Sequence, residues 1–135
     1  MSPRLHWRFE PSSAVQRLRT VSDELDAAIA ARGASDRTRF AARLVIEEIV
    51  LNAFEHGGAR DVTLEACPED DLLRLVLEDD GAEFDPTPND EQLEAQARSG
   101  VSIRGRGLIL VHRFTQRLEH VSIDGRNRLT VALVA

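Results

Sequence analysis

Two stretches of helical period follow one another in this chain with no strand between them, and that order restricts the fold more than any other feature. In the first, Val15, Leu18, Val21 (or Ser22), Leu25 and Ile29 recur at helical spacing up to Arg32, with Pro11, Ser12 and Ser13 as turn and start and Gly33 as the stop. In the second, Ser35 or Asp36 caps a helix that runs to about His56 and ends at Gly57-Gly58. Segments of period two flank the pair. Leu5, Trp7 and Phe9 alternate with His6, Arg8 and Glu10 before it, which places Trp7 in the core or at a dimer contact. Val62 and Leu64 alternate with Thr63 and Glu65 after it, and Leu72 to Leu77 reads as a central strand behind a Glu69-Asp70-Asp71 hairpin turn. Leu118 to Ile123 and Leu129 to Val134 form a closing hairpin across Asp124-Gly125. This order predicts an α+β fold, a two-layer α/β sandwich whose mixed, mostly antiparallel sheet carries its helices on one face. A βαβ nucleotide fold does not fit, because helices and strands do not alternate.

The 135 residues argue for one domain spanning 1–135, long enough for a real core without staples. A net charge of −6 argues against duplex nucleic acid as a general partner, because such binders concentrate basic side chains on one face. No apolar run approaches the length of a membrane span. The single cysteine, Cys67, permits no internal disulfide, and MSPRLHWRFE has no apolar signal core. Together these features predict a cytoplasmic domain.

Between residues 82 and 104 the periodic pattern fails, in a stretch that holds Pro86 and Pro88. A connection this long inside a compact domain reads as a lid or binding loop. Gly105-Arg106-Gly107 then opens a helix carrying Leu108, Ile109, Val111, His112 and Phe114.

The second helix contains RLVIEEIVLNAFEHGG, an apolar run with Glu48, Asn52 and His56 on one stripe four residues apart. A carboxylate among Ile46, Ile49, Val50, Ala53 and Phe54 is costly unless it is paired or shares hydrogen bonds. Asn52 offers a neutral carbonyl oxygen, which suits a hard cation such as magnesium. Glu48, one turn away, could orient or deprotonate a hydroxyl beside phosphates. The plainer alternative pairs Glu48 with an arginine such as Arg43 and uses Asn52 to hold a loop; His56 reads equally as a solvated helix end. Asp79-Asp80-Gly81 closes the central strand either as an acidic turn or as an acceptor for the exocyclic amine of a purine. Gly105-x-Gly107 is either a simple cap or a phosphate cradle at a helix N-terminus, with Arg104 and Arg106 beside it. Thr130 is either an ordinary strand threonine or a hydroxyl donor to phosphate.

The order and spacing of these pieces favour the chemical alternatives. EEIVLNAFEHGG, LEDDGAEFDP and GRGLILV resemble the three motif regions of the ATP-binding fold shared by DNA gyrase, the Hsp90 chaperone, histidine kinases and the MutL proteins (the Bergerat-type, or GHKL, fold). Within that superfamily the chain is similar to the small anti-sigma-factor serine/threonine kinases over nearly its whole length. The resemblance implies ATP and Mg2+ as ligands, with Glu48 as catalytic base and Asn52 as the metal ligand. It implies Asp79 on the adenine amine, with Gly81 letting the ring approach. Residues 82–104 would be the ATP lid, which Gly105 and Gly107 close over the phosphates, with Arg104, Arg106 and Leu108 in the same nucleotide-binding segment and Thr130 lining the pocket. Many superfamily members carry a second glycine where this chain has Glu83. The implied function is phosphorylation of a STAS-type anti-anti-sigma protein, with a sigma factor as a further partner and a homodimer as the assembly. Two alternatives share the motifs: a non-catalytic anti-sigma module whose affinity nucleotide tunes, and a detached histidine-kinase-like domain acting on another chain.

Overall fold

A computed structural model of the chain describes residues 4–69, 72–82 and 115–134. The element order is β1 (Leu5–Phe9), a single 3-10 turn at Pro11–Ser13, α1 (Ala14–Ala31), α2 (Asp36–Glu55), β2 (Val62–Glu69), β3 (Leu72–Asp79), β4 (Arg117–Ile123) and β5 (Arg126–Val134). The expected lid and the helix opening at Gly105 lie outside the described residues, as does the tip of the expected Glu69-Asp70-Asp71 turn.

Local chemistry accounts for the helix limits. The Ser35 hydroxyl accepts the Thr38 N–H at 3.2 Å, so Ser35 is the cap that starts α2. Past the end of α1, Gly33 adopts φ +86, and the Ala34 N–H reaches back to the Ile29 carbonyl at 3.0 Å. One expected core position is corrected. Val15 is 73% exposed, whereas Ala14, Leu18, Val21, Ser22, Leu25 and Ile29 are buried. Ala14, four residues before Leu18, takes the inward place at the start of the helix, and Val15 turns outward.

The strands form one sheet in the order β1-β2-β3-β5-β4, and all four pairings are antiparallel. Its inward face is built in rows across the strands. One row runs Trp7, Leu64, Leu77, Leu129, His120; the next runs Phe9, Val62, Asp79, Asn127, Ser122. Both rows begin apolar and become polar toward β5 and β4. Against the apolar part pack Leu18, Val21, Leu25 and Ile29 of α1 and Ala42, Val45, Ile46, Ile49 and Val50 of α2. Each large side chain fully buried there contributes about 1.5–3 kcal/mol. Polar contacts fix how the layers sit. The Trp7 indole N–H donates to Glu24 at 2.7 Å, Arg39 donates to both Asp26 oxygens, and Arg43 pairs with Asp23 at 3.0 Å.

Candidate nucleotide site

The polar ends of the two inward rows meet the C-terminal end of α2. There α2 stops at an unusually close crossing of backbones. A Cβ on Gly57 would lie 2.9 Å from the Ala53 carbonyl oxygen, and Gly58 takes φ +65. The Ala59 N–H returns to the Ala53 carbonyl at 3.0 Å, and the Gly57 carbonyl accepts the Ala82 N–H at 2.8 Å. That last bond joins the helix end to the chain leaving β3. Gly81 is required by the same crossing, since a Cβ there would stand 2.8 Å from the Gly57 oxygen. The Gly57 backbone therefore requires a glycine here independently of the ring access that the resemblance implies.

The two aspartates of Asp79-Asp80-Gly81 have separate tasks. Asp80 faces the loop, where its Oδ1 accepts the Arg60 and Asp61 N–H groups at 2.8 and 3.0 Å. Those backbone donors hold its carboxyl below the usual carboxylate range. Asp79 lies on the inward face. Its Oδ1 accepts the Gly81 N–H at 2.9 Å and the Asn127 side-chain N–H at 3.0 Å. Among the described residues nothing donates to its Oδ2.

Asp79 thereby lines a cleft. Ile49, Ala53 and Leu129 form its apolar walls, Asn52, His120 and Asn127 join Asp79 as its polar groups, and Gly57 and Ala82 edge it. Asn52 and Asp79, which the sequence places far apart, come together here. Glu48 stands one helical turn before Asn52, partly buried and outside the cleft lining. Arg43, its suggested partner, is taken by Asp23, and no ion pair forms to Glu48 among the described residues. Burial first, then the charges of Glu47 and Glu55, push the Glu48 carboxyl above its ordinary value. His56 is exposed at the helix end.

Thr130 is corrected. On β5 the inward residues are Asn127, Leu129, Val131 and Leu133, all buried, so Thr130 falls on the opposite face, registered with Val76 and Glu119. The β5 residue at the cleft is Asn127, which sequence reasoning missed together with His120. Arg104, Gly105, Arg106, Gly107 and Leu108 lie outside the described residues.

These groups fit an adenine nucleotide. Apolar walls suit the faces of a flat ring, and a carboxylate with one oxygen already saturated and the other open among the described residues is an acceptor for a ring amine. Asn52 could lend a carbonyl oxygen to a magnesium ion, which would neutralise phosphate charge when bound. No cluster of three or more His, Cys, Asp or Glu side chains that could hold a metal forms among the described residues, so such an ion would draw its other ligands from phosphate and water.

A two-layer sandwich of antiparallel sheet and two helices, with an acceptor-bearing cleft where α2 meets β3 and β5, defines a GHKL-type ATP-binding fold. Comparison with known proteins agrees. The model of the histidine kinase-like ATPase domain matches residues 11–133, and the chain belongs to that family. No curated protein sequence matches it. Among solved structures, the chain is similar to a crystal structure of the RsbU and RsbW domains of Rv1364c from Mycobacterium tuberculosis, with TM-score 0.69 and 21% identity. The match covers 98% of this chain and 32% of that one, so the chain spans about a third of its length. No helix among the described residues is long and apolar enough to cross a membrane.

Proposed function

We propose that this chain is an ATP- and magnesium-dependent protein serine/threonine kinase that also acts as an anti-sigma factor in a partner-switching system. The observation that carries the proposal is Asp79, held by two N–H donors with its second oxygen open among the described residues, in one cleft with Asn52 of the helix that carries Glu48. Membership of the histidine kinase-like ATPase family supports the nucleotide, and a fold neighbour described as an RsbW domain supports the partner-switching setting. The substrate is a serine or threonine hydroxyl on a STAS-type anti-anti-sigma protein. A sigma factor is the second partner, the assembly is a homodimer, and the compartment is the cytoplasm.

In this reading the chain contributes placement and charge. Asp79 fixes the base, and Asn52 helps hold the magnesium ion. Glu48 accepts the proton as the hydroxyl oxygen bonds to the γ-phosphorus and the bond to the β-phosphate oxygen breaks, leaving ADP. A carboxylate made more basic by partial burial suits that role. The test is incubation with magnesium, ATP and candidate STAS proteins, read by intact mass. A gain of one acid-stable phosphate is expected, slowed by at least about a hundredfold in Glu48→Ala. A stable complex without that gain favours the non-catalytic anti-sigma module, and an acid-labile product favours histidine as the acceptor.

A further inference from the structure

The cleft contains a second layer of polar groups whose hydrogen bonds to the described residues admit one arrangement. The Asn127 side chain is buried, 6% exposed, and faces three acceptors on one side. Its Nδ2 lies 3.0 Å from Asp79 Oδ1, 2.9 Å from the Ala82 carbonyl and 3.4 Å from the Gly81 carbonyl. Turning the amide over would set its oxygen against all three, so the nitrogen must face them and Oδ1 must point the other way. There Oδ1 meets His120 Nε2 at 3.0 Å. An amide oxygen only accepts, so His120 carries its proton on Nε2. The chain of donation is therefore directed: His120 to Asn127, and Asn127 to Asp79. The strand register explains the placement, because Asn127 pairs directly with Asp79 and His120 sits diagonally across on the same face.

We infer that Asn127 and His120 are positioning residues for base selection: Asn127 saturates Asp79 Oδ1 so that only Oδ2 meets the base, and His120 fixes which way Asn127 points. The inference rests on the reading of Asp79 as the base contact. It adds that selectivity for an amino over an oxo purine depends on residues of β5 and β4. A carboxylate oxygen attracts a ring amine and repels a ring carbonyl, but only while its orientation is fixed. Without Asn127 the carboxylate keeps only the Gly81 N–H on Oδ1 and is held less firmly, and the Ala82 and Gly81 carbonyls lose a donor that also shapes the cleft wall.

The experiment is calorimetric titration of ATP and of inosine triphosphate, its 6-oxo counterpart, into wild type, Asn127→Ala, His120→Ala and His120→Gln. Circular dichroism confirms that each variant is folded. Side-chain nitrogen NMR of nucleotide-free wild type reports the His120 tautomer. Wild type should prefer ATP, and both alanine variants should lose about tenfold or more of that preference. His120→Gln, which can still donate an N–H, should recover most of it, as a merely space-filling role would not require. The NMR should show the His120 proton on Nε2. An unchanged ATP preference in both alanine variants, with ATP binding still dependent on Asp79, overturns this inference and leaves the nucleotide site standing. A neutral His120 protonated on Nδ1 also overturns it. Failure of wild type to bind either nucleotide overturns both readings.

Discussion

Glu48 carries its charge at an energetic disadvantage, and that links its chemistry to the stability of the fold. Its carboxyl is raised by burial and by the charges of Glu47 and Glu55, so the folded chain binds its proton more readily than the unfolded chain does. Between the ordinary carboxylate value and the raised one, folding takes up a proton, so this contribution to stability falls as pH rises through that window and remains unfavourable at neutral pH. Glu48→Gln should therefore raise the denaturation midpoint at pH 7 while removing phosphoryl transfer, a pairing that thermal melts and the mass assay read separately. A melting midpoint below wild type would show that the charge is stabilising after all. The pH profile of transfer should have its acid limb above the 4.5 of an ordinary glutamate. Ser22 makes a simpler case. It is 2% exposed and its hydroxyl has no hydrogen-bond partner among the described residues, so Ser22→Ala should be neutral or stabilising by up to about 1 kcal/mol in urea denaturation. The residue types of the site were legible in the sequence, Glu48, Asn52 and Asp79 among them, because carboxylates and an amide are costly beside an apolar run. The division of labour between Asp79 and Asp80 was not, since it depends on which side chain meets the Arg60 and Asp61 N–H groups.

The ends of elements matter more to the cleft than their middles do. The seam at Gly57 and Gly81 brings α2 to the chain leaving β3 at distances that admit no side chain. Gly81→Ala should cost about 1–3 kcal/mol and weaken ATP binding, because the added carbon must displace the Gly57 carbonyl that anchors Ala82. Gly33→Ala is a useful contrast. Its φ of +86 makes it costly by about 1 kcal/mol, but it lies at the far end of α2 and should leave nucleotide affinity unchanged. The same view explains what could be read of the elements in advance. Among the described elements, both helices and β1, β2 and β5 could be read from their periods, because each buries one regular face, and β3 could be read from its apolar run. Strand phase was harder. The expected last strand began at Leu129, since Arg126-Asn127-Arg128 offers no apolar alternation. Extending the Leu129, Val131, Leu133 period back by two residues would have put Asn127 on the inward face and Thr130 on the outer one. In β4, Leu118 points inward while Val121 and Ile123 are outward and about half exposed, so the apolar residues give no single phase and His120 stayed hidden.

At the scale of the molecule, the cleft joins segments remote in sequence: the end of α2, the end of β3, and the facing parts of β5 and β4. A ligand bound there stabilises the folded state as a whole. ATP with magnesium at about a hundred times its dissociation constant should add about 2.7 kcal/mol to wild type. Thermal melts of Asp79→Asn should show none of that gain, because the amide oxygen stays on the Gly81 and Asn127 N–H groups and turns a donor, Nδ2, toward the base. The net charge of −6 makes the anionic nucleotide a poor match for the surface at large, so binding must come from local groups. The central claim is that Asp79 reads the base in this cleft, and calorimetric titration of ATP, with and without magnesium, into wild type and Asp79→Asn tests it most directly. The account predicts binding to wild type that magnesium strengthens and that Asp79→Asn abolishes; well-folded wild type that takes up no ATP, or Asp79→Asn that binds it as tightly, would contradict the account.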